Sequence, residues 1–361
     1  MSSCQLLTRR KGCYRGTVII GLWALLAMAP AAAQETPEQR FVIAIERIWD
    51  RPGHAAFTDL ARQGEYLYCT FREGSGHIPG LNGTIRVIRS RDGAHWESAA
   101  LLDEPHVDLR DPKLSITPDG RLMINMGASY YHGSQRVKIE SRVAFSDTSG
   151  ATFGPAQRVE FPAQMITGGD WLWRVTWHAR KAWACVQQVF EGGRTLRLVQ
   201  SDDGIRYREV AQLDVDAPSE TTLRFLDDGT LLAMIRCESK PPIGRIGTAR
   251  PPYTEWKFVD SNKRFGGPNM IQLPSGAWLA GSRDYLPQSH TALWWLDLPS
   301  GHFRDVLKLP SSGDNSYPGF VVDRECDRLY MSYYSSHEGR TAIYLATLRL
   351  SALEAAAGAK Q

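Results

Sequence analysis

The sequence predicts an all-β fold, a six-bladed β-propeller with four-stranded antiparallel blades. Six segments repeat one pattern, in which a short apolar strand, a turn and a second apolar strand follow one another. A second pair of strand-like segments follows most of these units, and helical periodicity is almost absent. Repetition of one unit that cannot bury its apolar face alone is typical of propellers. A helical solenoid and a two-domain sandwich are the alternatives.

The six hairpins recur about every fifty residues, a period found in propellers. They cover residues 56–72, 111–126, 172–186, 220–236, 269–283 and 317–333. Each joins two β-rich runs through a short turn, which predicts a hairpin. Residues 41–48 are expected to supply the outer strand of the last blade and to close the ring against residues 341–350. The propeller then covers residues 34–350, and the Ala-rich tail, residues 351–361, is predicted to be a frayed helix.

Three turns that follow later strands share Ser, Asp, Gly and an aromatic residue, at residues 90–96, 146–153 and 201–207. The Ser and Asp side chains can hydrogen-bond the turn backbone, and Gly takes a conformation that other residues avoid. These turns resemble the Asp-boxes of sialidases and other propellers. Because non-catalytic propellers carry them too, they bear on the fold more than on function.

The N-terminal segment is interpreted as a cleaved signal peptide, residues 1–33. Four basic residues accompany an apolar run at 17–28 that is too short to span a bilayer, and Ala31, Ala32 and Ala33 form an A-x-A-like cleavage site. We therefore expect export to the periplasm or the medium, with no stable membrane insertion after cleavage. An uncleaved membrane anchor is the alternative.

Removing residues 1–33, which carry four basic and no acidic side chains, changes the formal net charge from +3 to about −1. A protein with this charge lacks the broad cationic surface that nucleic acid requires, so we expect no nucleic-acid partner, and we expect a monomer. The remaining cysteines show no metal-ligand spacing. The following histidines are scattered and predict no catalytic metal and no cofactor: His54, His77, His132, His290 and His337.

Ionisable residues concentrate at one end of the predicted blades. The first residue of an innermost strand and the last residue of the next strand lie at the same end of a hairpin, and these positions hold Arg72, Glu73, Arg110, Asp111, Asp170, Arg174, Glu220, Arg236, Asn269, Arg283, Tyr317, Tyr333 and Tyr334. Such an asymmetry is what a binding site at the channel mouth requires. Arg72, Arg236 and Arg283 come from separate blades and can converge on one carboxylate, which a planar guanidinium binds bidentately.

Residues 219–236 closely resemble the sialidase blade that supplies a catalytic glutamate and one arginine of a carboxylate-binding triad, with the same Glu-to-Arg spacing. Asn315, Ser316 and Tyr317 resemble the segment that carries the nucleophilic tyrosine of that family. The resemblance implies that Glu220 acts as base toward Tyr317, that Tyr317 attacks the anomeric carbon, and that Arg236 holds the sugar carboxylate. A buried structural Tyr–Glu pair is the alternative.

Two departures from that family concern blade one. The stretch from His54 to Thr58 lacks the usual Arg-Ile-Pro, so Arg72, on the partner strand, is a substitute for the missing arginine. The loop after the hairpin, residues 73–79, contains no Asp to match the family's acid/base aspartate. Glu73 and His77 are the candidates for this acid, and Asp111 is a third.

In blade three, Asp170, Trp171 and Arg174 are expected near the mouth, where an indole suits stacking on a sugar face; packing between blades is the alternative for the tryptophan. Together these features predict a retaining exo-glycosidase of sialidase type whose partner is a glycan with a terminal acidic sugar. Two alternatives stay open: a glycosidase or lyase on another uronate-like or neutral glycan, and a non-catalytic glycan-binding propeller.

Overall fold

The computed structural model of the chain describes residues 35–51, 53–78 and 83–358, so the predicted signal peptide, residues 1–33, lies outside the described residues. In chain order the elements are α1 (Pro37–Phe41), β1 (Val42–Trp49), β2 (His54–Gln63), β3 (Tyr66–Gly74), β4 (Thr84–Ser90), β5 (Glu97–Leu102), β6 (Asp108–Ile116), β7 (Leu122–His132), β8 (Gln135–Phe145), β9 (Gln157–Arg158), a 3₁₀ helix (Ala163–Met165), β10 (Asp170–Leu172), β11 (Thr176–His178), β12 (Lys181–Phe190), β13 (Gly193–Ser201), β14 (Tyr207–Leu213), β15 (Pro218–Phe225), β16 (Leu231–Cys237), β17 (Gly244–Ala249), β18 (Trp256–Asp260), β19 (Asn269–Gln272), β20 (Trp278–Asp284), β21 (His290–Asp297), β22 (His302–Lys308), β23 (Asn315–Asp323), β24 (Arg328–Ser335), β25 (Ala342–Arg349) and α2 (Leu350–Gly358).

These strands form six antiparallel sheets, which confirms the six-bladed propeller. Blades one to five are β2–β5, β6–β9, β10–β14, β15–β18 and β19–β22, and blade six joins β23, β24 and β25 to β1. The innermost strands contact one another around the ring, from β2 and β6 through β15 and β19 to β23, which contacts β2 again. Blade three differs because its innermost strand is split into β10 and β11, both paired with β12.

Most of the apolar core lies between neighbouring blades. Ile85 and Val87 of blade one pack with Ile124 and Met126 of blade two in one buried cluster. The inner strands therefore present apolar residues to both faces of their sheet, since each blade is covered on two sides. This explains why the six hairpins read as nearly continuous apolar runs.

The two ends of the described chain meet in blade six. As predicted, β1 forms the outer strand of that blade and pairs antiparallel with β25. The tail helix is α2, and the expectation that it is frayed is wrong: Leu350, Leu353 and Ala356 are buried in one cluster with Phe41 of α1. Their spacing of three residues places them on one face of the helix.

The Ser/Asp/Gly turns make the backbone hydrogen bonds expected of them. Asp92 Oδ1 accepts from the amides of Ala94 (2.9 Å) and His95 (2.8 Å), and Ser90 Oγ accepts from the amide of Gly93. Asp203 makes the equivalent contacts in blade three. The side chains hold the turn by satisfying amides that the sheet leaves unpaired.

Four cysteines fall within the described ranges, and all four are free thiols there. Cys69, Cys185 and Cys237 are buried on strands, and Cys326 is exposed in the turn between β23 and β24. Over the same ranges, neither α1 nor α2 has the length and apolarity needed to cross a bilayer.

Candidate active site

A repeated backbone irregularity directs side chains into the mouth of the propeller. The pairing of the two inner strands shifts register between Ala56 and Asp59, Arg110 and Lys113, Pro218 and Thr221, and Ser316 and Gly319. Within these bulges Phe57, Asp111 and Tyr317 have φ angles of 63°, 53° and 56°. Bulky residues rarely adopt this conformation, and bulges re-aim the side chains they carry. The break between β10 and β11 takes the same place in blade three.

The mouth holds a cavity of about 410 Å³. Its lining combines four arginines, three carboxylates, a tyrosine and several apolar side chains: Phe57, His77, Ile78, Arg110, Asp111, Arg136, Ile139, Gly169, Trp171, Gln187, Val189, Arg194, Ser219, Glu220, Arg236, Glu238 and Tyr317. A concave site in which polar groups converge beside apolar side chains is typical of small-molecule binding.

The cavity floor carries the predicted Tyr–Glu pair. The Tyr317 hydroxyl donates a hydrogen bond to Glu220 Oε1, and Arg236 Nη1 donates to Oε2 at 2.8 Å. The amide of Gly267 also donates to Oε2, at 2.8 Å. Gly267 has a φ of 60° and a Cβ there would collide with the Tyr317 ring, so only glycine brings this amide so close.

The proton of this pair lies on the tyrosine. Burial alone would raise the pKa of Glu220, but the Arg236 charge and the hydrogen bonds from Tyr317, Arg236 and Gly267 outweigh it, so the pKa lies below its ordinary value. Burial and the Glu220 charge raise the pKa of Tyr317 well above its ordinary value, against the opposing charge of Arg236. An ionised carboxylate bonded to a neutral phenol is a base poised to activate a nucleophile.

Beneath Tyr317 the central channel is filled by buried charged groups. The ammonium of Lys113 lies 5.4 Å from the Tyr317 ring centroid and 4.6 Å from that of Trp173. Burial and the charge of Arg174 lower the pKa of Lys113 to about 8. Arg174 is bonded to Asp59 at 2.5 Å. The structure thus places Arg174 inside the channel, away from the cavity lining, and the prediction that it contacts substrate is wrong.

His77 stands at the rim with a carboxylate partner. Its Nδ1 lies 2.7 Å from Asp314 Oδ2, and the Phe57 ring packs edge-on at 5.1 Å between centroids. Asp314 Oδ1 accepts from Tyr334 at 2.8 Å and from Arg283 at 3.1 Å. Burial opposes ionisation of Asp314, but hydrogen bonds from the histidines and the Arg283 charge outweigh it and lower its pKa. The imidazole is therefore held by an oriented anion.

His54 completes this cluster, with its Nε2 2.8 Å from the same Asp314 oxygen. The three ligand atoms lie within 4.8 Å of one another and could hold a metal ion. Two of the histidines judged scattered along the sequence, His54 and His77, are thus brought together by the fold. In the structure His54 Nε2 and His77 Nδ1 both lie within hydrogen-bond distance of Asp314 Oδ2. Two hydrogen bonds therefore account for the arrangement of the cluster.

From the neighbouring blade two, Arg110 and Asp111 line the cavity as predicted from their position. Arg110 Nε donates to Asp111 Oδ2 at 3.0 Å, and its guanidinium lies 5.2 Å from the Phe57 ring centroid. Trp171 lines the neighbouring wall and packs perpendicular to Trp173, with 5.0 Å between ring centroids. The indole is partly exposed to the cavity.

Two predicted residues of blade one bond other residues outside the cavity. Arg72 is fully buried and bonded to Asp108 at 2.7 Å. Both oxygens of Glu73 are occupied, by Trp49 at 2.7 Å and by Arg86, so it faces the blade six side and does not line the cavity. The expected contacts of Arg72 and Glu73 with substrate are therefore wrong. Adjacent strand residues point to opposite faces of a sheet, and in this hairpin both faces are packed.

Asp170 is also a structural residue, contrary to the prediction. Its carboxylate accepts from the amides of Thr167 and Gly168, both at 3.0 Å, and from Gln188. It holds the loop before β10 and leaves the cavity wall to its neighbour Trp171.

Arg283 contacts the site indirectly. Its guanidinium lies 5.8 Å from the Tyr317 ring centroid, but it donates its hydrogen bonds to the Asn315 carbonyl, Asp314 and Tyr334.

Several residues of the site were not predicted, among them Phe57, Arg136, Arg194, Glu238 and Asp314. Asp314 and Glu238 lie within three residues of predicted ones and could have been found by extending the strand ends. Arg136 and Arg194 lie on third strands, which the hairpin argument did not examine. Proline after Asp111 and Tyr317 was a sign of bulges, because proline within a sheet is confined to edges and bulges.

No protein-family model matches the sequence, and no curated protein matches it. Solved structures do. A protein of unknown function from Dyadobacter fermentans has a TM-score of 0.74 at 16% identity, over 86% of this chain and 98% of that one. Trypanosoma rangeli sialidase in complex with the inhibitor DANA has a TM-score of 0.68 at 14% identity, over 84% of this chain and 56% of that one.

An α-L-arabinofuranosidase mutant from Fusarium graminearum, in complex with an iminosugar inhibitor, has a TM-score of 0.65 at 13% identity, over 86% of this chain and 99% of that chain. This chain therefore spans little more than half of the sialidase it matches and nearly all of the other two proteins. At these identities the likenesses establish a fold that glycoside hydrolases share, and function has to be argued from the site.

Proposed function

We propose that this protein is an exported, retaining exo-glycosidase of sialidase type that removes a terminal acidic sugar from a glycan. The observation that carries the proposal is the buried array of Tyr317, Glu220 and Arg236 on the floor of the cavity. A structural Tyr–Glu pair would need no third charge and no opening to solvent. Here the pair faces a cavity of about 410 Å³, large enough for a sugar ring.

In the proposed reaction Tyr317 Oη attacks the anomeric carbon while Glu220 takes the phenolic proton. The glycosidic bond breaks, and its oxygen leaves with a proton from the acid. Water then attacks the glycosyl–tyrosine intermediate, giving one proton to the same residue, now a base, while Tyr317 recovers its own proton from Glu220. Two displacements at one carbon retain its configuration. The positive charge of Lys113, beneath the Tyr317 ring, stabilises the negative charge that develops on the phenolic oxygen as the glycosyl–tyrosine bond breaks.

His77 is our candidate for the acid/base residue, with Asp111 as the alternative. With Nδ1 bonded to Asp314, the other nitrogen of the imidazole is free to exchange a proton with the leaving oxygen, as in a catalytic histidine oriented by a carboxylate. Asp111 also lines the cavity, but one oxygen of its carboxylate already accepts a hydrogen bond from Arg110 at 3.0 Å.

A second substrate class, another acidic sugar such as a uronate, is favoured by one observation. The blade-one bulge carries Phe57, and Arg72 is buried against Asp108, so no arginine occupies the place that the sialidase resemblance requires. The carboxylate of the sugar must then be recognised elsewhere in the cavity, and its position on the ring is open.

The test is release of 4-methylumbelliferone from its α-sialoside and from uronides by the mature protein. We expect Tyr317→Phe and Glu220→Gln each to reduce the rate by about a thousandfold or more. Tyr333→Phe is the matched control, because Tyr333 is a buried tyrosine whose hydroxyl donates to the Pro310 carbonyl and which does not line the cavity. Full activity in Tyr317→Phe would overturn the mechanism, and glycan binding without turnover would indicate a non-catalytic propeller. N-terminal sequencing of the exported form tests cleavage after residue 33.

A further inference from the structure

The hairpins of blades two and three extend further at the mouth than that of blade four. The hairpins β7–β8 and β12–β13 have strands of 11, 11, 10 and 9 residues, against 7 and 6 for β16–β17 of blade four. Both long hairpins turn at the mouth end of their blades. Arg136 and Arg194 are the second residues of β8 and β13, so neighbouring blades present arginine at equivalent positions, and both arginines line the cavity.

These two arginines differ from the others of the cavity in having no anionic partner. Arg236 is paired with Glu220 and Glu238, and Arg110 with Asp111. Across residues 35–51, 53–78 and 83–358, no carboxylate oxygen lies within 4 Å of Arg136 or Arg194. Two unpaired guanidinium groups therefore face one cavity.

Positive charges lie close to Arg136. The residue is exposed at its hairpin tip, yet partial burial and the charges of Arg110 and Arg194 lower its pKa, against the opposing effects of Tyr131 and Asp111. A guanidinium stays protonated in proteins, so this repulsion is not relieved by loss of a proton. An anion placed between the two arginines would relieve it.

The arginines at the strand ends are not available to bind an anion, because each already has its own partners. Arg72 is bonded to Asp108 and the Gly76 carbonyl, and Arg283 to the Asn315 carbonyl. The third, Arg236, already neutralises two carboxylates. A substrate carboxylate brought to Arg236 would meet the negative charge of Glu220 at the same nitrogen atoms.

We infer that Arg136 and Arg194 form the anion-binding site of the cavity and recognise the acidic group of the glycan. This inference rests on the proposed function and gives its substrate class a physical basis. The group is a carboxylate or a sulfate ester, since both offer the paired oxygen atoms that a guanidinium binds bidentately. Trp171, Ile139 and Val189, which line the cavity beside the arginines, provide apolar contact for the sugar ring.

The test measures binding in the Tyr317→Phe background, so that turnover is not required. Calorimetric titrations use N-acetylneuraminic acid, glucuronic acid and N-acetylglucosamine 6-sulfate, with glucose and N-acetylglucosamine as neutral counterparts. We expect at least one acidic sugar to bind more tightly than its neutral counterpart, and Arg136→Ala and Arg194→Ala each to weaken its binding about tenfold or more. The sugar that responds identifies carboxylate or sulfate as the group recognised.

Arg304→Ala is the matched control, because Arg304 is exposed on the outer strand β22, outside the cavity. Equal affinities in the Arg136, Arg194 and Arg304 variants, or equal binding of acidic and neutral sugars, would overturn the inference. Binding that depends on both arginines in a protein that hydrolyses no glycoside would leave the anion site standing and remove the proposed hydrolase. Hydrolysis that neither substitution affects would leave the proposed hydrolase standing and remove the anion site.

Discussion

Arg236 sets the protonation state of the base, and replacing it by methionine separates this role from substrate binding. In the native protein the Arg236 charge and three hydrogen bonds hold the pKa of Glu220 below its ordinary value despite complete burial. Arg236→Met leaves burial unopposed by charge, so the pKa of Glu220 rises. Because the base works only when ionised, the variant loses activity as the pH falls and recovers it as the pH increases.

The size of the effect follows from the geometry. Opposite charges 2.8 Å apart attract by about 6 kcal/mol at an effective dielectric constant of roughly 20. Arg236 divides its charge between Glu220 and Glu238, and 18% of its side chain is exposed, so we expect about 2–3 kcal/mol to be lost. That corresponds to roughly 30–150-fold in the proton affinity of the carboxylate.

The assay is kcat/KM against pH, from pH 4 to 9, with the best aryl glycoside of the substrate screen. We expect the acidic limb of the Arg236→Met profile to move to higher pH, with the deficit largest at low pH. Arg264→Met is the matched control, since Arg264 bonds Glu238 at 3.2 Å and does not bond Glu220. A deficit of the same factor at every pH would refute the reasoning and make Arg236 a substrate anchor.

Three further outcomes are expected. Asp108→Ala leaves the fully buried guanidinium of Arg72 without its anion and should lower the free energy of unfolding by about 3–5 kcal/mol in urea titrations, whereas Glu65→Ala at an exposed ion pair should change it by less than about 1 kcal/mol; equal effects would show that the buried pair is solvated. Dialysis against EDTA should leave activity unchanged, because both histidine donors of the rim cluster already bond Asp314; a loss that Zn²⁺ or Mn²⁺ restores would make that cluster a metal site. Among the four described cysteines of the folded chain, only Cys326 should react with Ellman's reagent, and rapid reaction of Cys69, Cys185 or Cys237 would contradict their burial.

Most of the fold could be predicted because a propeller repeats its signal six times. The paired apolar runs, the turns and the closing strand β1 all followed from local composition. The split of β10 and β11 and the packing of α2 did not, because each depends on a single place in the ring. The helix face of Leu350, Leu353 and Ala356 was readable from spacing, but only the position of Phe41 shows what covers it.

The site was predictable where the sequence preserves a spacing and unpredictable where side-chain direction decides. Glu220, Arg236 and Tyr317 come together as expected, across three strands. Arg72 and Arg174 stand at strand ends as expected, yet one is turned between blades and the other into the channel. Arg174 lies in the gap between β10 and β11, an irregularity that its sequence does not announce, and sequence alone specifies a bulge only where a proline or glycine marks it.

The pairing of β1 with β25, which completes blade six, has a consequence for how the protein folds. Because β1 pairs with β25, the last sheet stays incomplete until β25 has been synthesised, and a nascent chain that ends before β25 has five complete blades at most. The pairing of strands about 300 residues apart is a loop closure of high entropic cost, so we expect it to limit the folding rate. Once formed, the β1–β25 pairing closes the ring of blades. We expect the blades to separate only after this pairing has broken, which favours a slowly unfolding native state.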